Sequence, residues 1–184
     1  MNPRVLVAGV GNIFLSDDGF GVEVAQRLAL KQLPDCVQVK DFGIRGVHLA
    51  FELLDGYDTL ILVDASPRGE APGTVYVIEP ELQSARKNAS DEVRSSPLVD
   101  GHGMEPDSVL ALLDSLGGKA SRVLVVGCEP ASLEEGIGLS PPVTQAVEKA
   151  VDLVTELIDE ELKEAAASAG RTDDYSGGER GGMG

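Results

Sequence analysis

Apolar residues along this 184-residue chain fall into two kinds of run. Short, near-continuous stretches rich in β-branched residues predict strands at Val5–Gly9, Val37–Asp41, Thr59–Ala65, Thr74–Ile78 and Arg122–Gly127. Runs such as "TLILVDA" and "RVLVVG" hardly alternate, which suits strands buried on both faces. Between them apolar positions recur with the helical period. Val24, Ala25 and Leu28 mark one helix, Val47, Ala50 and Leu54 a second, and Val109, Leu112, Leu113 and Leu116 a third. The last stripe is the longest: Val143, Ala146, Val147, Ala150, Val151, Val154, Leu157 and Ile158, with Pro141 and Pro142 at its start.

Strands alternating with helices predict an α/β fold, a three-layer αβα domain around a twisted, mostly parallel sheet of about five strands. One connection is too short for a crossover helix. Only "SPRGEAPG" separates the third and fourth strands, so the fourth is expected to run antiparallel. Residues 1–164 are read as a single domain. Residues 165–184, Ala-rich and then Gly-rich, are read as a disordered tail.

Composition narrows the partners. The formal charge of -16 opposes nucleic acid or an anionic membrane as partner. Cys36 and Cys128 form no metal-knuckle spacing, and with no signal peptide at the start a reducing cytoplasm is the expected location. No apolar run approaches the ~18 residues that span a bilayer.

In an open α/β sheet, ligands gather beyond the carboxyl ends of the parallel strands. This chain places Asn12, Asp17 and Asp18 after its first strand, Asp41 after its second, Asp64 at the end of its third, and Cys128 and Glu129 after its last. His102 lies in the helix-poor segment "SSPLVDGHGMEPD". The opening "VAGVGNIFLSDDGFG" resembles a dinucleotide turn, but Phe14 stands where its third glycine belongs, and two aspartates replace room for a pyrophosphate. Asp17 suits an N-cap. Gly19 and Gly21, poor helix formers, suggest that something approaches the backbone beside Asp18. Asp64 is either a turn former or a site acid. His102, between two glycines, is a plausible ligand or base, whereas His48 sits in a helix among apolar residues. Cys128 is either a nucleophile or a small buried residue. Asp18, Asp64 and His102 remain as two oxygens and a nitrogen suited to a borderline divalent metal.

The segments "GVGNIFLSDDGFGV", "DFGIRG", "LILVDA", "PGTVYVI", "GHGMEPDSVL" and "VGCEPASLEEGIGLSPPV", in this order, resemble the nickel–iron hydrogenase maturation proteases from about Val5 to Ile158. The resemblance implies an endopeptidase that removes the C-terminal extension of a nickel-loaded hydrogenase large-subunit precursor, so that the new C-terminus closes over the metal centre. It implies that Asp18, Asp64 and His102 bind the nickel, which arrives with the substrate, and that these three form the catalytic set. Members carry Glu or Asp at the first of these positions. It further implies that Asp41, Phe42, Gly43, Ile44, Arg45 and Gly46 take part in recognising the precursor; Phe42 stands where many relatives have a second glycine. A non-catalytic, metal-sensing assembly chaperone on the same scaffold is the alternative.

Overall fold

The computed structural model describes residues 3–80, 109 and 113–172. Its strands are β1 (Val5–Val10), β2 (Val37–Gly43), β3 (Thr59–Ala65), β4 (Val75–Ile78) and β5 (Arg122–Cys128). They form one sheet in the order β2-β1-β3-β5-β4. The first four in that order are parallel, and β4 pairs antiparallel with β5. The short link before β4 leaves no other geometry.

Helices of the described residues that cover the sheet include α1 (Phe20–Leu28), α2 (Gly46–Leu53) and α3 (Pro141–Thr172). Period-two alternation explains why the strands lack a polar face. Val5, Val7, Ile61, Val63, Leu124 and Val126 point to one side, where they meet Phe20, Val24 and Leu28 of α1 and the Val143–Ile158 stripe of α3. Leu6, Ala8, Val10, Leu60, Leu62, Val123 and Val125 point to the other, against Leu49, Ala50 and Leu53 of α2. Burying each such aliphatic side chain contributes about 1.5–3 kcal/mol, so two filled faces account for the mostly parallel sheet.

Two helices differ from the sequence expectation. In α2 the buried positions are Gly46, Leu49, Ala50 and Leu53, while Val47 and Leu54 are exposed. The phase is set where the helix starts, by the amide N–H groups of His48 and Leu49 donating to Arg45 O. The pattern Val47, Ala50, Leu54 therefore mixes two faces. At the far end, α3 continues through Thr172, so residues 165–172, expected in a disordered tail, are helical. Alanine is the strongest helix former, and "KEAAASAG" extends an existing helix without needing an apolar face. Of the expected third helix, residues 109 and 113–115 are helical with Val109 and Leu113 buried, and Leu112 lies outside the described residues. So do residues 173–184 of the expected tail.

At the amino edge of the sheet, Arg122 pairs with Glu79 (2.8 Å), with Glu161 and with Glu164 (3.2 Å). Thr59 Oγ1 donates to the buried Glu161 carboxylate at 2.6 Å. This cluster ties α3 to β3 and β5 at the end opposite the candidate chemistry. No described helix is long and apolar enough to cross a membrane.

Candidate active site

The carboxyl ends of β1 and β3 lie side by side, with Gly9 in register with Val63. From β1 the chain enters a glycine turn and a 3-10 turn, Ser16–Gly19, before α1 begins. Gly11 has φ +133, and a Cβ there would stand 1.8 Å from Asp18 O, so the turn folds tightly back on itself. The Asn12 amide donates to Asp18 Oδ2 at 2.6 Å, and the Asn12 carboxamide oxygen accepts from the Phe14 amide at 3.0 Å. The N–H that would receive a phosphate in a dinucleotide turn is thus taken by this chain's own carboxylate. Oδ1 of the half-buried Asp18 has no hydrogen bond to any described residue.

Glycines 19 and 21 do not make room for a ligand at Asp18. A Cβ on Gly21 would lie 2.1 Å from Val63 O and 2.4 Å from Val10 O. What approaches the backbone is the sheet itself: α1 begins directly against the ends of β1 and β3. One on Gly19 would sit 3.4 Å from Ile13 Cα.

Asp17 does not cap its own helix; neither the 3-10 turn nor α1 has a side-chain cap. It is fully buried (0% exposed) and reaches across to the segment after β5. Oδ2 accepts from the amides of Ala131 (2.8 Å) and Ser132 (3.1 Å) and from Ser140 Oγ (2.9 Å), and Oδ1 from the Ser140 amide (2.6 Å). Burial by itself would raise its pKa, but the bonds from Ser140, Ser132 and Ala131 outweigh that and hold the carboxyl below its ordinary value. Glu129, also buried, accepts from the amides of Arg68 (2.6 Å) and Gly69 (3.3 Å), fixing the loop between β3 and β4.

Asp64, half-buried, closes β3 with its Cα in register with Gly127 of β5. Asp18 and Asp64 therefore belong to the same sheet edge. His102 lies outside the described residues. Among the described residues no group of three His, Cys, Asp or Glu side chains is placed to hold a metal ion. His48 is exposed on α2.

The two cysteines are not nucleophiles at this edge. Cys128 is fully buried (0% exposed), its thiol donates to Glu129 O at 3.7 Å, and burial, with Asp17 and Glu129 nearby, pushes its pKa up to about 11. Cys36 precedes β2, and its carbonyl accepts from Val5 at the amino edge.

Asp41–Gly46 carries the end of β2 through a tight turn into the start of α2. Asp41 Oδ1 accepts from the Gly43 amide (2.9 Å), and the Arg45 guanidinium donates to the carbonyls of Phe42 (3.1 Å) and Asp41 (2.9 Å). Phe42 is buried in the core beside α2, whereas Ile44 is 58% exposed. The Gly11 amide donates to Gly43 O at 2.9 Å, joining this turn to the glycine turn. Between them lies a cleft of about 330 Å³ walled by Ile13, Phe14, Val22, Gln26, Ile44 and Arg45. Ile13 and Phe14, 49% and 62% exposed, were not singled out by the sequence. Two bulky apolar residues inside a glycine turn were the available signal.

The family model described as hydrogenase maturation protease matches residues 22–157. The chain is 33% identical over 164 residues to the hydrogenase 2 maturation protease of Escherichia coli strain K12, spanning 88% of this chain and 94% of that protein. It superposes with a TM-score of 0.63 on the hydrogenase 2 maturation peptidase of Thaumarchaeota archaeon SCGC_AB-539-E09, at 34% identity over 84% of this chain and 97% of that one. The hydrogenase maturating endopeptidase HybD of E. coli gives 0.66 at 30% identity, covering 85% and 93%. Matches of this extent reach across both core layers and the strand ends that carry Asp64 and the segment after β5, and so the chain belongs to the hydrogenase maturation protease family and is a peptide hydrolase of hydrogenase maturation.

Proposed function

We propose that this protein is an endopeptidase that removes the C-terminal extension of a nickel-loaded hydrogenase large-subunit precursor, with Asp18, Asp64 and His102 docking onto the nickel that the precursor carries. The observation that carries the reading is the shared edge: the Gly9–Val63 register sets Asp64 beside the turn in which Asn12 holds the Asp18 carboxylate. Two carboxylates and an imidazole from separate segments suit a borderline divalent ion such as nickel. Asp18 is aimed through Oδ2, and Oδ1, which bonds to no described residue, is the oxygen assigned here to coordination.

Hydrolysis adds the oxygen of water to the scissile carbonyl carbon, breaks the C–N bond and returns a proton to the departing amine. With both cysteines out of reach, a metal-polarised carbonyl or water is the simplest chemistry for this set, and a purely metal-positioning role for the three residues is the alternative. A docking set of only three holds free metal weakly, so the enzyme engages tightly only when metal and polypeptide arrive together, which makes cleavage a test of loading. The Asp41–Gly46 segment, hydrogen-bonded to Gly11, is the further element assigned here to recognition of the same polypeptide.

The test compares purified precursor with and without nickel. Wild-type protein is expected to trim only the loaded form. Asp18→Ala, Asp64→Asn and His102→Ala are expected to lose at least about 100-fold in rate, roughly 2.7 kcal/mol of transition-state stabilisation. His48→Ala is expected to trim normally. Trimming of nickel-free precursor at the loaded rate, or wild-type activity in His102→Ala, overturns the docking role.

A further inference from the structure

The segment after β5, "ASLEEGIGLS" (Ala131–Ser140), does more than connect to α3. It is fastened to the glycine turn along its length. Besides the four bonds to Asp17, the Ser16 amide donates to Gly136 O (2.9 Å) and the Gly136 amide to Phe14 O (2.9 Å). The Asp17 amide donates to Ser132 O (3.2 Å), and Ser16 Oγ to Glu134 O (2.9 Å). A buried carboxylate holding three stations of a loop makes that loop part of the rigid edge.

What the fastened loop displays is unusual for a surface with no partner. Ile137 is 85% exposed and Leu133 is also exposed, next to the exposed Ile13 and Phe14 of the turn it is bonded to. Glu134 and Glu135 stand exposed between them. No Lys or Arg occurs between Arg4 and Arg27 or between Arg122 and Lys149, so neither loop contains a cation. Aliphatic side chains held out in water by a pinned backbone, with two exposed carboxylates on the same cation-free loop, are complementary to an apolar segment flanked by basic residues. Because the loop is already ordered, binding there loses little conformational entropy.

We propose that Ala131–Ser140 is a second docking element for the precursor, taking a segment in which an aliphatic side chain adjoins Lys or Arg. Leu133 and Ile137 contact the aliphatic part, and Glu134 and Glu135 the charges. The inference rests on the function proposed above and adds a recognition surface across the glycine turn from Asp41–Gly46.

The experiment uses the full chain and nickel-loaded precursor, with two exposed-surface variants, Ile137→Asp and the double variant Glu134→Lys/Glu135→Lys. Trimming kinetics and the Kd from titration calorimetry are measured at low and moderate salt, alongside thermal unfolding. Both variants are expected to raise KM and Kd at least about fivefold, with kcat within about twofold and Tm unchanged. Wild-type Kd is expected to weaken with salt, and that dependence to disappear in the double variant. Unchanged Kd and KM in both variants overturn the inference while wild-type trimming leaves the proposed function standing. Wild-type binding without trimming instead sinks the proposed function, and the Kd comparison still decides the docking element. A fall in Tm with unchanged Kd, or loss of a homodimer in Ile137→Asp, assigns the patch to this chain or to a second copy, and also overturns it.

Discussion

At the scale of single residues, two adjacent aspartates divide structure from chemistry. Asp17 is buried and accepts four hydrogen bonds; Asp18 is half-buried and accepts one from a described residue. Asp17→Ala strips three part-buried amides of their acceptor, and at about 1 kcal/mol for each a loss of about 3 kcal/mol is expected in denaturant unfolding. Asp18→Ala is expected to cost about 1 kcal/mol and yet to abolish trimming. Equal stability of the two variants would remove the division. Tyr57 offers a pH test at the other end of the sheet. Burial, then its bond to Glu52 (2.7 Å), pushes its pKa from 10.0 up to about 12. A raised folded-state pKa gives stability that is complete below pH 10.0 and lost as pH climbs through about 12. Two units correspond to about 3 kcal/mol. Alkaline unfolding followed between those values is therefore expected to be less steep in Tyr57→Phe than in the wild type.

At the scale of elements, the decisive contact is between α1 and the ends of β1 and β3. The helix can start there only because Gly21 has no side chain, and Gly9 faces it with the same requirement: a Cβ on Gly9 would stand 2.2 Å from Gly21 O and 2.5 Å from Ala25 Cβ. Gly21→Ala drives a methyl group into two backbone carbonyls, neither of which can rotate away. Moving α1 outward would open the Phe20–Val24–Leu28 face of the core. A drop of about 3 kcal/mol or more in unfolding free energy is expected, together with lost trimming because Asp18 immediately precedes this start. If Gly21→Ala unfolds like the wild type, the close approach is not structural.

At the scale of the whole molecule, strand order assembles the edge. β1 lies between β2 and β3, so its loop bonds on one side to the turn after β2 and on the other to the segment after β5. Three loops from distant parts of the chain become one surface around Asp18. The same arrangement closes the fold to dinucleotides, since Asp18 occupies the Asn12 amide and α1 is pressed onto the strands. Millimolar NAD or FAD is accordingly expected to move Tm by less than about 1 °C. A larger rise would mean that the turn does accept a pyrophosphate.

The strands, the antiparallel β4 and the long stripe of α3 were legible in the sequence because they depend on local period and on link length, which neighbouring residues carry by themselves. That Asp18 and Asp64 share a sheet edge was legible for a related reason: parallel strands deliver their carboxyl ends to one side whatever their order. The phase of α2 was not, because it is set by where the preceding turn releases the chain. Nor was the role of Asp17, whose partners lie more than a hundred residues away. The glycines before α1 showed from sequence that something comes close, and only the packed sheet decided that it was the carbonyls of Val10 and Val63. The exposure of Ile13, Phe14 and Ile137 likewise belongs to tertiary structure, for an apolar residue is written the same way whether the fold covers it or holds it out.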